Sequence, residues 1–387
     1  MANTFNLGNG NWAQKTEKLL AYNAENNNYK PLPFDFDRAS TATRVNKQGL
    51  IETVGVDVPR IDYTGNTKGH LLLEPSRRNL VKSSGDISTQ STYWLSNQVG
   101  TSVQNATVAP DGSNTASQIN TFGQQYGGIT QGSISVSNTE HTYSVYLKAK
   151  DGTPNIRLIF FDGVTFHSSD FTITSEWVRY DYKFTPLSGS FQIYITCPYV
   201  STSFYAWGIQ LEEGSYATSY IPTQGETNGV TRLVDACYNN NLGNVIGQTE
   251  GTFYIETIPL GSTTSFTERI MQFEASGSDF ITFQRYANSN LTFYGTDGSN
   301  SWTIQGLNLF VGGETIKIAG AYKDNDIVLY VNGVQIGTNN TANAPQVDRM
   351  WFANNASGSL AYSGSHKEVK FYNTRLSNSE LATLTTL

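Results

Sequence analysis

The chain has 387 residues, a formal net charge of −7 and a pI near 5.2, which gives no general affinity for nucleic acid or an anionic membrane surface. Charged residues make up only 15% of it, against roughly 25% in an ordinary domain. Gly, Ser, Thr, Asn and Tyr abound, a composition that suits an all-β protein with extended loops.

Two cysteines, Cys197 and Cys237, are too few for a disulfide framework or a zinc cluster. No apolar run is long enough to span a bilayer. The opening "MANTFNLGNGNWAQ" lacks the basic start and apolar core of a signal peptide, so the chain is expected to fold in a cytoplasm.

In chain order, residues 1–75 differ from the rest. "NWAQKTEKLLAYNAENNNYKPLPFDFDRAS" predicts one short helix over Ala13–Tyr22, then a loop at "ENNN". An extended "YKPLPFDF" follows, because a residue before Pro is pushed away from helical geometry. "ATRVNKQGLIETVG" predicts a hairpin of Thr43–Asn46 and Leu50–Val54 around Gly49. Two short strands follow, in "PRIDYTG" and "GHLLLEPSRRN". So many short elements make a poor core, and residues 1–75 are expected to be an arm lying on the next domain or on other subunits.

Residues 79–222 read as a β-sandwich of about eight alternating strands, separated by "APDGSN", "KDGTPN", "FDGVTF" and "PLSGS". Its last strand, "SFYAWGIQLEE", places Trp207 and Ile209 inward, and Trp94, Trp177 and Trp207 are assigned to the core. Glu212 and Glu213 are neighbours, so a strand sends them to opposite faces and they cannot flank one glycosidic bond. The polar "PTQGETNG" predicts a domain boundary near Gly225 that a protease would cut between Thr223 and Gly229. Residues 226–387 repeat the all-β style, with the meander "IKIAGAYKDNDIVLYVNGVQIG" at its centre. A final helix begins in "SNSELATLTTL", capped by Ser377 with Glu380 three residues on. The fold expected is all-β: two tandem β-sandwich or jelly-roll domains, 76–225 and 226–387, preceded by an extended arm, 1–75, with one short helix.

The chemistry of catalysis is sparse. His70, His141, His167 and His366 show no metal-ligand spacing and read as surface polar residues, and neither a G-x-S-x-G elbow nor a P-loop occurs. "DGVTF", "APDGSN", "KDGTPN" and "KDNDI" have the oxygens for calcium but are equally ordinary turns; no cofactor is assigned, and structural calcium stays open. Aromatic rings beside amides and hydroxyls are the better signal, since a sugar stacks its C–H face on a ring while its hydroxyls find polar partners. The candidates are Tyr126, Phe166 and His167 in the first sandwich and Tyr286, Tyr294, Trp302 and Trp351 in the second. The competing reading for each ring is core packing.

Three stretches of the middle domain, "NLVKSSGDISTQSTYWLSNQVGTSVQNATVAPDGSNTASQI", "YSVYLKAKDGT" and "AWGIQLEEGSYATSYIPT", resemble sandwiches of the carbohydrate-binding-module type. "IGQTEGTFYIE", "IAGAYKDNDIVLYVNGVQIG" and "VKFYNTRLSNSELATLTTL" are similar to a laminin-G or concanavalin-A-like jelly roll. With "PFDFDRASTATRVNKQGLIE" and "PRIDYTGNTKGHLLLEPSRRNL", the chain resembles structural appendage proteins of tailed bacteriophages. That resemblance implies a non-enzymatic virion-surface protein, whether tail fibre, head fibre, baseplate component or capsid decoration. Residues 1–75 would dock on other virion proteins, the chain would form a homo-oligomer (a trimer favoured), and a projecting sandwich would bind host-surface glycans. Neither nucleic acid nor membrane is an expected partner. The alternative is a glycan depolymerase of concanavalin-like fold, for which Glu256 and Glu274 are the nearest acids. A secreted adhesin is disfavoured by the missing signal peptide. Glycan contact is expected on residues 226–387, whose nine basic and fourteen acidic side chains suit neutral sugars better than anionic ones.

Overall fold

The computed structural model describes residues 4–15, 17–24, 27–28, 33–261, 267–275, 279–286, 289–354 and 361–387. Parts of the "ENNN", "YKPLPFDF" and "RMWFANNASGS" stretches lie outside them. The protein is all-β, with one helix among the described residues, Asn378–Thr385. Ser377 caps that helix and Glu380 completes the capping box, as the sequence predicts.

Residues 1–75 are not an arm. Their strands complete both sheets of the C-terminal jelly roll. In an eight-stranded sheet, the Gly364–Tyr372 strand pairs with Glu250–Pro259, with His70–Leu73 and with Phe5–Gly8. In a nine-stranded sheet, Ala236–Asn239 lies between Pro33–Asp37 and Arg349–Phe352. The predicted helix over Ala13–Tyr22 is instead an antiparallel pair, Ala13–Lys15 with Lys18–Leu20, and Lys18–Leu20 pairs in turn with Pro33–Asp37. Leu19 and Ala21, two apart, are both buried. That is the period of a strand, and the open sheet edge overrides local helix propensity.

The two sheets enclose one aromatic core. Phe253 stacks on Phe273 across the sheets at 4.0 Å, and Phe5, Phe34, Phe352 and Phe371 extend the cluster. Gly320 sits where a Cβ would come within 2.6 Å of Phe293 and 2.7 Å of Phe283, so only glycine admits those rings.

The middle domain is therefore an insertion. Its two five-stranded sheets run Leu95–Asn97, Gly128–Val136, Gly189–Thr196, Asn155–Phe161, Phe166–Thr172 and Thr101–Thr107, Ala116–Phe122, Ser201–Glu213, His141–Ala149, Val178–Phe184. They pack a separate core around Trp94, Tyr143, Leu158 and Ile209. The chain enters and leaves through adjacent segments, Arg77–Asn79 and Val230–Arg232, which pair as a two-stranded ribbon. The expected boundary at Gly225 is pinned: its N–H donates to the Lys82 carbonyl at 2.6 Å, and its own carbonyl accepts from the Tyr93 hydroxyl at 3.0 Å.

A buried ion cluster holds this crossing. Arg38, Arg60, Arg232, Glu74 and Asp235 are all shielded from water. Arg60 and Arg232 meet Glu74 at 2.8 and 2.7 Å, Arg38 meets Asp235 at 3.1 Å, and Arg60 also pairs with Asp235. Three cations face two carboxylates, and backbone oxygens supply the balance: Arg38 donates to Ser40, Val58 and Gly55, Arg60 to Thr43, and Arg232 to Pro75. The inserted module contributes Ser219, whose N–H and hydroxyl donate to Glu74 at 2.8 and 2.7 Å.

Two predictions follow from this architecture. Deleting residues 1–75 removes Phe5, Leu7, Leu19, Phe34, Phe36, Ile61, Leu71 and Leu73 from the jelly-roll core. At about 1.5–3 kcal/mol each, their summed loss equals or exceeds most of the roughly 5–15 kcal/mol range by which a domain is stable. A chain of 76–387 should then show a melting transition for the module alone and an insoluble or unfolded jelly roll, and two intact transitions would contradict this topology. Secondly, Glu74→Ala should cost about 3–5 kcal/mol by stranding buried arginines, whereas Arg44→Ala, at the more exposed Arg44–Glu52 pair, should cost under about 1 kcal/mol. Burial pushes the Glu74 carboxyl up, but Arg232 and Arg60 overcome it and hold it down to about 2. Its contribution is thus complete above the ordinary carboxylate range and is lost as pH falls toward about 2, a dependence that Glu74→Gln should flatten in denaturant titrations.

Candidate functional site

Strand alternation gives the jelly roll two outward faces. On the nine-stranded sheet, register places Tyr238 opposite Trp351, Trp351 opposite Gln272, Gln272 opposite Thr282, and Thr282 opposite Tyr294. These side chains form a row across the strands on the face turned away from the core. Tyr238 stacks on Trp351 at 4.4 Å, and Phe280 packs against Tyr294 at 5.4 Å with the Arg269 guanidinium 5.0 Å above its ring. Burial lowers the Arg269 pKa, with Tyr294 and Glu274 opposing that shift. Several polar atoms of the row have no hydrogen-bond partner: Trp351 Nε1, Gln272 Oε1, and Arg269 Nε and Nη1. These atoms are shielded from water, so what the face offers a ligand is the ring surface of Trp351, Tyr238 and Tyr294.

Of the rings predicted for this domain, the structure brings Trp351 and Tyr294 onto this face. Tyr286, 51% exposed, ends the Asp279–Tyr286 strand at its margin. Trp302 is a correction. It is only 6% exposed, belongs to the core and meets Phe293 edge-on at 4.9 Å. Parity explains the split: Trp302 shares its side with core Ile304, whereas Trp351 lies between core Met350 and Phe352.

In the inserted module, Tyr126 and Phe166 do come together, parallel at 5.2 Å, and Phe161 continues the stack at 4.4 Å from Phe166. Phe166 is 45% exposed, and the bidentate Arg157–Asp170 pair at 2.5 and 2.6 Å lies on the same outer face. His167 is not part of this platform. It alternates inward, stacks on Phe184 at 5.2 Å and pairs with Asp162 at 2.9 Å.

Trp207 also departs from expectation. Its neighbours Ala206 and Ile209 both face the module core, because a bulge with Gly208 at φ +65° shifts the alternation. Trp207 therefore points out of the sandwich, against Tyr220, Ile51 and Ala116, with Trp177 half-buried beside it. Trp94 alone of the three tryptophans lies in the main core.

The acids do not converge. Ile255 and Phe273 face the core, so Glu256 and Glu274 point outward from different sheets, on opposite sides of the jelly roll. Glu256 sits between Lys367 at 3.6 Å and Lys317 at 4.0 Å. Glu212 is buried and accepts from Thr218 and Gln210, and its carboxyl is raised by burial; Glu213 is exposed. Three histidines, His70, His141 and His366, are buried rather than on the surface, and burial lowers His366 to about 3, leaving it neutral. Asp162 and Asp111 accept from the backbone N–H groups of their own turns, and among the described residues no three His, Cys, Asp or Glu side chains gather as a metal site requires.

With the geometry described, the class of fold is a lectin-like jelly roll carrying an inserted β-sandwich. Residues 258–382 match the family Laminin_G_3, described as the concanavalin A-like lectin/glucanases superfamily. Among solved structures, the chain is similar to the CBM40 of the Ruminococcus gnavus IT-sialidase bound to alpha2,3 sialyllactose. Identity is 17% over 37% of this chain and 86% of that one, with a TM-score of 0.33. It is also similar to domain 4 of AbnA, a GH43 extracellular arabinanase from Geobacillus stearothermophilus in complex with arabinotriose, at 14% identity over 45% and 84%, TM-score 0.33. A SAP-like pentraxin from Limulus polyphemus matches at 14% identity over 35% and 70%, TM-score 0.30. No curated protein sequence matches the chain.

The two jelly-roll tryptophans should separate cleanly in thermal unfolding. Trp302→Ala should cost about 3–5 kcal/mol as a core truncation. Trp351→Ala should lose only its ring pairing with Tyr238, about 0.5–1.5 kcal/mol. Equal losses would place both rings in the core.

Proposed function

We propose that this protein is a non-enzymatic, glycan-binding component of a bacteriophage virion surface. The observation that carries the glycan reading is the row on the nine-stranded sheet, where the Tyr238, Trp351 and Tyr294 rings share the outward face and Tyr286 stands exposed at its margin. Such rings supply a stacking surface for the C–H face of a sugar. The lectin-like fold supports the same reading. Residence on a virion rests on the resemblance of the sequence to phage appendage proteins. Because residues 1–75 are woven into the jelly roll, we assign docking and self-association to surfaces of the folded units and not to a free arm. Display of many copies would raise the avidity of a weak single site by mass action.

Binding of the purified protein to a printed array of bacterial surface glycans tests the reading. The wild type should bind at least one glycan. The double variant Trp351→Ala, Tyr294→Ala should lose that binding by about tenfold or more while its melting temperature falls by no more than about 4 °C. No glycan bound, or no glycan on the array whose binding the double variant weakens, would overturn it. Incubation with the bound glycan should release no new reducing ends, and release abolished by Glu256→Gln would replace the non-enzymatic reading with a hydrolase.

A further inference from the structure

The hairpin of Ala42–Val45 and Ile51–Val54 belongs to the jelly-roll segment of the chain but reaches over the inserted module. Ile51 N–H donates to the Pro110 carbonyl at 3.0 Å, and the Thr43 hydroxyl donates to the Tyr220 carbonyl at 2.5 Å. Between hairpin and module lies a cleft of about 810 Å³, within the roughly 300–1,000 Å³ of small-ligand sites. Its inner wall is Trp207 and Tyr220, 4.6 Å apart, and the Trp207 indole N–H donates to the Thr115 hydroxyl at 3.1 Å. The bulge at Gly208 turns Trp207 toward this space and away from the module core.

The rest of the lining is polar and carries one sign of charge. Glu52, Asp86 and Asp111 contribute carboxylates, and neither Lys nor Arg lines the cleft. Glu52 is partly offset by Arg44 at 2.7 Å. Asp86 accepts from the Gln104 amide at 2.8 Å through one oxygen, while its other oxygen is shielded from water and has no partner. The hydroxyl of Thr223, a residue only 3% exposed, is likewise shielded and unpartnered. An anion entering here would meet carboxylates without a cation to pair with, and an apolar ligand would strand the amides and hydroxyls. A neutral polyol offers donors to the carboxylates of the cleft and partners to the exposed Gln90, Gln104 and Asn105 amides without adding charge.

We propose that this interdomain cleft is a second binding site, distinct from the jelly-roll face, and that it takes a neutral oligosaccharide. Both walls contribute, so occupancy ties the hairpin to the module. Titration calorimetry with maltotriose, cellotriose and triacetylchitotriose, set against 3′-sialyllactose and trigalacturonate, tests the chemistry. At least one neutral trisaccharide should bind, about tenfold or more tighter than either anion. Thr92→Trp, at the exposed rim, should block it by filling the cleft, and Gln104→Ala should weaken it by loosening Asp86. The double variant Trp351→Ala, Tyr294→Ala should leave it unchanged, which separates failure of this site from failure of the jelly-roll face. Absence of neutral binding, equal binding of the anions, or binding retained in both Thr92→Trp and Gln104→Ala would overturn the proposal.

Discussion

Five charged side chains, buried where the chain passes twice between two folded units, are the constraint on which this architecture depends. Arg38, Arg60 and Arg232 cannot shed their charge and cannot reach water, so Glu74 and Asp235 must stay in place beside them. They come from four places along the path. Arg38 follows a strand of the nine-stranded sheet, Arg60 precedes and Glu74 follows strands of the eight-stranded sheet, and Arg232 and Asp235 flank the return crossing. A shift of any one element leaves a buried charge without its partner. The cluster therefore fixes the geometry of both sheets at one point, and Ser219 extends that control into the inserted module.

From this anchor the rest of the molecule is positioned. The ribbon of Arg77–Asn79 and Val230–Arg232 sets where the module sits, and the hairpin after Arg38 is carried over the module's flank. The cleft owes its existence to that overlap, since neither unit alone has two walls. The jelly-roll face owes its row of rings to simple alternation on strands whose inward residues fill the aromatic core.

Much of this was legible in the sequence, and the limits are physical. Alternation and turn residues marked the strands, and Ser377 with Glu380 marked the helix, because those signals are local. The pairing of Phe5 with Phe371 was not legible, because alternation assigns a residue to a face without naming the strand beside it. The segment over Ala13–Tyr22 suited a helix until an open sheet edge offered better partners. Trp302 and Trp351 could have been told apart by their neighbours: Ile304 shares the parity of the first, and Met350 and Phe352 flank the second. Trp207 could not, because one bulged residue reverses parity without changing composition. Unpartnered atoms such as Trp351 Nε1 exist only in three dimensions.

The nesting also sets a timetable. On a ribosome, the strands Phe5–Gly8 and His70–Leu73 emerge long before Gly364–Tyr372, against which both must pair. At about 5–20 residues per second, the roughly 300 intervening residues take on the order of 15–60 s. During that interval the inserted module can finish its own core, while Phe5, Leu19, Phe34 and Phe36 wait in solvent with open strand edges. The nascent chain is therefore most exposed to misassociation at its beginning, and its stickiest stretch is the one that translation speed and chaperones must protect.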